Sequence, residues 1–204
     1  SNSAKLVYGC DTVAEFDELT GGNPLTSGQW VMTADVYVPG TFDGRTYYIG
    51  MNEYDDPLAT YQWSIQVAFD ATVPGSPSVA CDCGIDGVKT APIPVDTWVP
   101  CRWEIDLTAD WVDFYYNGAL VHGYIWTKGV FGSDTTGVLD FNAIDLYPEF
   151  PSSNGTEIYV DNLDITAGFT TTPGVQFCPG DGVYASCPCI ANNDGSMSGC
   201  DWSG

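Results

Sequence analysis

The stretch from residue 97 to residue 126 constrains the fold more than any other part of the chain. It alternates apolar and polar residues, turns at 108–110, alternates again, turns at Asn117-Gly118 and returns through 119–126. A period of two places successive side chains on opposite faces of a strand that is buried on one side. Asn-Gly readily takes the positive φ angles of a two-residue hairpin turn. The stretch therefore predicts an antiparallel meander, and with it an all-β domain rather than an α/β enzyme.

Similar alternation extends this prediction along most of the chain. The further predicted strands are one around 14–19, then 28–39, 45–54, 60–70, a weaker one over 77–88, 137–147 and 156–166. Within 60–70 we expect Trp63 to face inward and Ser64 to face outward. Near Asp161 the parity of the apolar residues switches, which predicts a β-bulge. No segment keeps a 3.6-residue period, so the roughly ten strands predict a two-sheet antiparallel jelly-roll sandwich.

The composition indicates a secreted, extracellular chain and excludes two classes of partner. There are 27 acidic residues against five basic ones, and the formal net charge is -22 at pH 7. Such a charge argues against nucleic acid and anionic membranes. No run approaches the roughly 18 apolar residues of a membrane-spanning helix, so we expect no membrane insertion. Because the chain starts without an initiator Met or a signal peptide, we expect a mature or trimmed secreted protein.

The cysteines are even in number, which in a secreted chain predicts disulfides and an oxidising compartment. They are Cys10, Cys81, Cys83, Cys101, Cys178, Cys187, Cys189 and Cys200. Two Cys-x-Cys pairs are compatible with a metal site instead. Zinc sites, however, usually show Cys-x2-Cys together with His, and this chain has a single His. We therefore predict that all eight are bridged, with the connectivity open.

The chain changes character at Ala167, where a run rich in Thr, Gly and Pro begins. We predict a sandwich domain over 1–166, a linker over 167–172 and a cysteine-rich tail over 173–204. The tail is too small and too rich in Gly to build a core, so bridges must hold it. We expect its four cysteines to pair among themselves, which makes it a small disulfide-rich C-terminal tail.

Five segments within residues 12–166 carry a family resemblance: GQWVMTADVYVPG, YQWSIQVAFDA, DTWVPCRWEIDLTADWVDFYYNG, FNAIDLYP and EIYVDNLDI. They resemble the concanavalin A-like lectin/glucanase superfamily, and within it laminin-G-like secreted bacterial domains. The tail, with FCPGDG, CPC and GC, resembles a cysteine motif of secreted planctomycete proteins. The resemblance implies a jelly roll with one concave and one convex sheet. It assigns no activity by itself, because function belongs to sites rather than to folds.

Glu104 and Asp106 are the sharpest enzymatic candidates, because they share one face of a predicted strand. A retaining glycosidase needs two carboxyl groups ~5–5.5 Å apart. The resemblance to laminarinase-type hydrolases implies Glu-x-Asp-x-Glu, with at most one extra residue before the last Glu. Here Thr108 and Ala109 occupy those positions, and Asp110 comes one residue too late. We therefore predict no catalytic residues, and a laminarinase-like hydrolase is the disfavoured alternative.

A structural calcium ion is implied by the same resemblance, since the superfamily often ties its first strand to its last through Ca²⁺. Glu15, within the acidic run 15–18, and Asp161 match the positions that such a site uses. Calcium takes six to eight oxygen ligands, and a bulged strand supplies free carbonyl groups. The alternative is that Asp161 only caps its bulge by bonding to the backbone.

Two functions remain open from the sequence. The first is a non-catalytic structural or adhesive subunit of a cell-surface or extracellular assembly, in which residues 1–9 are a candidate strand donor for self-association. The second is a carbohydrate-binding, lectin-like module that recognises a surface glycan. Exposed aromatic and polar side chains on one face would then bind the glycan. The outward-facing candidates are Gln66, Arg102, Glu104 and Tyr115.

Overall fold

The computed structural model describes residues 3–10, 12–16, 24–55, 60–130 and 137–168. All of them belong to one unit, Ser1–Phe169. The predicted tail and most of the predicted linker lie outside the described residues. The strands are β1 (Ala4–Leu6), β2 (Thr12–Glu15), β3 (Gln29–Tyr37), β4 (Arg45–Asp55), β5 (Thr60–Asp70), β6 (Ser78–Asp82), β7 (Val88–Pro92), β8 (Trp98–Asp106), β9 (Trp111–Tyr116), β10 (Ala119–Ile125), β11 (Ala143–Phe150) and β12 (Ile158–Ala167).

Two six-stranded antiparallel sheets face each other, which confirms the all-β jelly-roll sandwich. Sheet A has the order β1-β12-β3-β8-β9-β10, and sheet B has the order β2-β11-β4-β5-β6-β7. In the described residues two three-residue 3-10 turns lie outside the strands, Gly84–Asp86 between β6 and β7 and Trp126–Lys128 after β10. Within the described ranges no helix has the length and apolar character needed to cross a membrane.

The predicted meander is formed by β8, β9 and β10. Every second residue of β8 from Val99 onward is buried, as the alternation requires. The turn between β9 and β10 has φ values of 51° at Asn117 and 76° at Gly118, the left-handed conformation that this pair adopts at low cost. The meander thereby supplies three adjacent strands at one edge of sheet A.

Aromatic rings stack through the core from one sheet to the other. Tyr48 of β4 packs on Trp103 of β8 with ring centroids 4.5 Å apart. Trp103 in turn stacks on Phe114 of β9 at 4.9 Å. All three side chains are essentially inaccessible to water. Such pairs contribute ~0.5–1.5 kcal/mol beyond their buried area, so this column ties the two sheets together.

Two element predictions were wrong. The weak strand predicted over 77–88 is two strands, because the chain turns tightly through Gly84 between β6 and β7. Gly84 has φ 59°, and a Cβ there would lie 1.8 Å from the carbonyl oxygen of Lys128. The N-terminal segment is not a free donor strand. Its residues Ala4–Leu6 pair with β12 of the same chain, and Leu6 is only 4% exposed.

No bridge joins any two of the four described cysteines, and the other four lie outside the described residues, so the disulfides stay a prediction. Cys10 is exposed, whereas Cys81, Cys83 and Cys101 are buried. The sulfur atoms of Cys81 and Cys83 lie 3.4 Å apart as thiols. The predicted pairing of Cys178, Cys187, Cys189 and Cys200 lies outside the described residues.

Candidate functional site

The outward face of sheet B carries a groove of about 470 Å³. Side chains from four neighbouring strands, β2, β11, β4 and β5, line it. They are Val13, Tyr47, Ile49, Met51, Tyr54, Trp63, Gln66, Asp145, Tyr147 and Glu149. The lining thus combines an apolar floor, four aromatic rings, two carboxylates and one amide side chain.

Strand alternation explains how β4 and β11 build their part of the groove. Tyr48 points into the core and is 1% exposed, so Tyr47 points outward. On β11 the outward positions are Asp145, Tyr147 and Glu149, and Tyr147 is 42% exposed. Tyr47 and Tyr147 are direct cross-strand partners in the β4–β11 register. Their side chains therefore stand side by side in the groove.

A bulge brings Trp63 of β5 into the same groove. The register between β4 and β5 shifts on both sides of Met51, so Trp63 and Gln66 face the same way although they are three residues apart. The Trp63 indole Nε1 donates to Gln66 Oε1 at 2.9 Å, which fixes the ring. The prediction of an inward Trp63 and an outward Ser64 was wrong, because strict alternation does not survive a bulge.

Ser64 is buried at this bulge and stabilises it by hydrogen bonds on the core side. Its Oγ lies 2.9 Å from Asn52 Oδ1 and 2.6 Å from the carbonyl oxygen of Trp126, so its single proton is shared between two acceptors. The amide of Asn52 also donates to the carbonyl oxygen of Val138 at 2.6 Å. The orientation of Trp63 therefore depends on a buried polar network one residue away.

One end of the groove is charged. Arg45 Nε lies 3.3 Å from Glu149 Oε2 and 3.5 Å from Asp70 Oδ2. The guanidinium also sits 4.7 Å from the ring centroid of Phe150 and donates to the Tyr47 hydroxyl at 3.4 Å. Burial raises the pKa of Tyr47 above its ordinary value. Two carboxylates thus already neutralise the positive charge of Arg45, and the Tyr47 hydroxyl stays protonated at neutral pH.

The four predicted glycan-binding residues do not come together. Gln66 lines the groove on sheet B, whereas Arg102, Glu104 and Tyr115 lie on the outward face of sheet A. Arg102 Nη2 pairs with Glu104 Oε1, and the Tyr115 hydroxyl donates to Glu104 Oε2 at 3.4 Å. Burial, and then the charge of Glu104, raise the pKa of Tyr115. The prediction of one shared binding face was therefore wrong for Gln66.

The two carboxylates considered for hydrolysis, Glu104 and Asp106, are each engaged by neighbouring groups on sheet A or in the turn that follows β8. Asp106 Oδ1 accepts the N–H groups of Thr108 and Ala109 at 2.9 and 2.8 Å, and Asp106 Oδ2 accepts from Gln29 Nε2 at 2.8 Å. Glu104 is engaged by Arg102. Both carboxylates are on the sheet that does not carry the groove.

The two residues predicted to bind calcium belong to different sheets. Glu15 ends β2 of sheet B, and Asp161 lies in β12 of sheet A. Asp161 Oδ1 accepts the N–H of Asn162 at 2.8 Å, at the predicted bulge, where Asn162 has φ 51°. Among the described residues, no group of three or more His, Cys, Asp or Glu side chains is placed to hold a metal ion. The acidic neighbours 17–18 of Glu15 lie outside those residues, so calcium stays a prediction.

Sequence reasoning missed most of the groove. Aromatic residues were assigned to the core by default, which hid Tyr47, Trp63 and Tyr147. A usable signal lies in the segment from Asp145 to Glu149, where a carboxylate, a tyrosine and a carboxylate occupy alternate positions. That parity predicts an outward row of polar and aromatic groups.

Similarity to known proteins is confined to the fold. No family model matches the chain, and no curated protein matches its sequence. An alginate lyase, A1-II', superposes with a TM-score of 0.53 at 10% identity, covering 81% of this chain and 75% of the lyase. The apo Crh5 transglycosylase gives 0.50 at 12% identity, covering 80% of this chain and 70% of that one. A sialidase gives 0.51 at 8% identity over 77% of this chain, which spans only 14% of that protein. At this identity the likenesses show a shared two-sheet sandwich fold and nothing more.

Proposed function

We propose that the chain is a secreted, non-catalytic carbohydrate-binding module whose groove on sheet B holds a saccharide. The observation that carries the proposal is the convergence of Tyr47, Tyr54, Trp63 and Tyr147 with Gln66, Asp145 and Glu149 in one groove. Sugar rings present apolar C–H faces and hydroxyl edges. Aromatic rings pack against such faces, and a few fixed polar groups orient the ligand.

The names of two structural neighbours support a carbohydrate ligand. An alginate lyase and a transglycosylase both act on carbohydrates, and both share this sandwich. At their low identity this similarity concerns the scaffold alone. The saccharide is therefore assigned from the side chains in the groove, and the neighbours only favour the same class of ligand.

The absence of catalysis is proposed from the spacing of the groove carboxylates. Asp145 and Glu149 are four residues apart on β11, which corresponds to ~13 Å between their backbones at ~3.3 Å per residue. The carboxyl groups of a retaining glycosidase are ~5–5.5 Å apart, a separation that one Asp and one Glu side chain do not reach from backbones so far apart. In addition, Glu149 is held by Arg45 at 3.3 Å, so it is poorly placed to act as an acid or a nucleophile.

Binding to neutral and charged oligosaccharides on an array, followed by calorimetry, tests the proposal. Trp63→Ala and Tyr147→Ala are each expected to weaken binding by at least about tenfold, or ~1.4 kcal/mol. The control is Trp111→Ala, because Trp111 is 40% exposed, close to the 42% of Tyr147, but lies on sheet A. Loss of binding in the control with retention in Trp63→Ala would place the ligand elsewhere. Newly formed reducing ends from a bound oligosaccharide would refute the non-catalytic assignment.

A structural or adhesive subunit is the second candidate, and one surface feature favours it. Tyr159, Tyr37 and Trp98 are direct cross-strand neighbours on the outward face of sheet A. Their ring centroids are 6.2 and 5.5 Å apart, and Trp98 is 43% exposed. Such an aromatic row, with Trp98 exposed and both tyrosines half-buried, is suited to contact with another subunit.

Sedimentation at several salt concentrations tests the second candidate. A net charge of -22 repels identical copies, so association should require screening by salt. Trp98→Ser should then yield monomers, whereas Trp63→Ser in the groove should leave the oligomer intact. A monomer under all conditions would leave only the saccharide proposal. Deleting residues 1–9 is a poor test, because it removes the buried Leu6 from the chain's own core.

A further inference from the structure

We infer that the groove prefers a saccharide carrying a protonated amine to a neutral or acidic saccharide. The inference rests on the proposed function and names the class of its ligand. It follows from the charge and the aromatic content of the groove taken together.

The charged groups in and beside the groove sum to a negative charge. Asp145 and Glu149 both line the groove, and Arg45 is bracketed by Glu149 and Asp70 at 3.3 and 3.5 Å. Arg45 is paired with two carboxylates, and Asp145 lies four residues from Glu149 along β11, so the formal charge of Arg45, Asp70, Glu149 and Asp145 together is -2. Because Arg45 is already paired on two sides, it offers little to an acidic ligand.

The aromatic rings add to this preference. Tyr47, Tyr54, Trp63 and Tyr147 share the groove with the two carboxylates. The face of an aromatic ring attracts a cation, and Trp does so best. An ammonium group beside both a ring and a carboxylate gains a cation–π contact and a charge-assisted hydrogen bond. A hydroxyl group in the same place gains neither in full.

The position of Tyr147 allows one ligand to contact both an aromatic ring and a carboxylate. Tyr147 lies between Asp145 and Glu149 on the same face of β11, and it stands beside Tyr47 in the register. A sugar ring packed on these tyrosines therefore has a carboxylate on either side along the strand. A uronic acid in that position would bring like charges together, which selects against it.

General attraction of cations to an acidic protein must be separated from this preference. The whole chain carries -22, so any cationic polymer is drawn to it at low salt. That attraction is spread over the surface and depends little on any one carboxylate. A preference set by the groove must instead depend on Asp145 and persist at ~0.15 M salt, where the Debye length is ~8 Å.

Calorimetry with matched oligomers tests the inference. The probes are a glucosamine oligomer with free amines, the same oligomer fully N-acetylated, an alginate oligomer of equal length and an oligolysine. We expect the amine-bearing oligomer to bind at least tenfold more tightly than the N-acetylated one, and the alginate oligomer most weakly. Asp145→Asn should reduce that preference to less than threefold while leaving the N-acetylated oligomer bound, which also shows that the variant is folded. Asp113→Asn, on the outward face of sheet A, is the control and should change nothing.

Each alternative outcome has a separate meaning. Equal affinity for the amine-bearing and N-acetylated oligomers would overturn the inference and leave the proposed function standing. Failure of every saccharide to bind would remove the proposed function itself. Oligolysine that binds as tightly as the glucosamine oligomer, and is lost in Asp145→Asn, would overturn the saccharide class in favour of a cationic peptide. A preference that is unchanged in Asp145→Asn would refute the role of the groove.

Discussion

Two buried tyrosines in the core differ in what their hydroxyl groups meet. Tyr124 OH donates to the carbonyl oxygen of Ser64 at 2.9 Å. Tyr48 OH has no hydrogen-bond partner among the described residues. Both rings are almost fully buried, and burial raises the pKa of each phenol well above its ordinary value. A buried hydroxyl without a partner costs free energy, whereas a paired one contributes on balance.

The two Tyr→Phe variants should therefore act in opposite directions. We expect Tyr48→Phe to leave the free energy of unfolding unchanged or to raise it by up to ~1 kcal/mol. Tyr124→Phe should lower it by ~1–3 kcal/mol, because the carbonyl group of Ser64 loses its donor. Urea unfolding of the two variants measures both. Equal destabilisation would mean that Tyr48 OH does have a partner in solution.

The described cysteines should differ sharply in reactivity. Thiolates are the nucleophiles, and burial raises the pKa of the Cys101 thiol. The hydrogen bond to Cys83, and then burial, raise the pKa of Cys81. At pH 8 without reductant, iodoacetamide should label exposed Cys10 in the folded protein and the other three only after unfolding. Peptide mapping identifies the labelled cysteines. If Cys81 and Cys83 resist labelling even in the unfolded chain, they are bridged, as the sequence analysis predicted for every cysteine.

Among the elements, the regular strands were predictable and the irregular ones were not. The alternation in β3, β8 and β9 identifies strand and face together, because a half-buried sheet demands it. In β5 the pattern identifies the strand but assigns Trp63 to the wrong face, since the bulge depends on Asn52 of the neighbouring strand. The groove could not be predicted, because it needs β5 and β11, which are distant in sequence.

The bulge in β5 gives a prediction for this element. Ser64→Ala removes the hydroxyl that meets Asn52 Oδ1 and the Trp126 carbonyl oxygen, so two buried acceptors lose their donor. We expect ~1–3 kcal/mol of destabilisation, measured by urea unfolding, and weaker saccharide binding, measured by calorimetry, because Trp63 is the next residue. Ser78→Ala on β6, outside the groove lining, is the control and should leave binding unchanged. Undiminished binding in Ser64→Ala would show that the Gln66 hydrogen bond alone holds Trp63.

At the scale of the whole molecule, the sandwich must hold together against its own charge. Each sheet carries part of a net charge of -22, and like charges destabilise a compact state. Contacts between the sheets, such as the ring column from Tyr48 to Phe114, oppose that repulsion. A divalent cation that joined the sheets would add to them, and Glu15 and Asp161 lie one on each sheet.

The calcium prediction is therefore a prediction about stability. If Asp161 and Glu15 contribute to one site, calcium binds the folded chain alone and stabilises it by ~2.7 kcal/mol at a hundredfold excess over Kd. The melting temperature should then be higher in calcium chloride than in sodium chloride of equal ionic strength, which removes the effect of screening. Asp161→Asn should abolish that difference, whereas Asp164→Asn, beyond the bulge on the same strand, should preserve it. Identical melting curves in the two salts would leave Asp161 with the role that the structure shows, which is to cap the bulge through the N–H of Asn162.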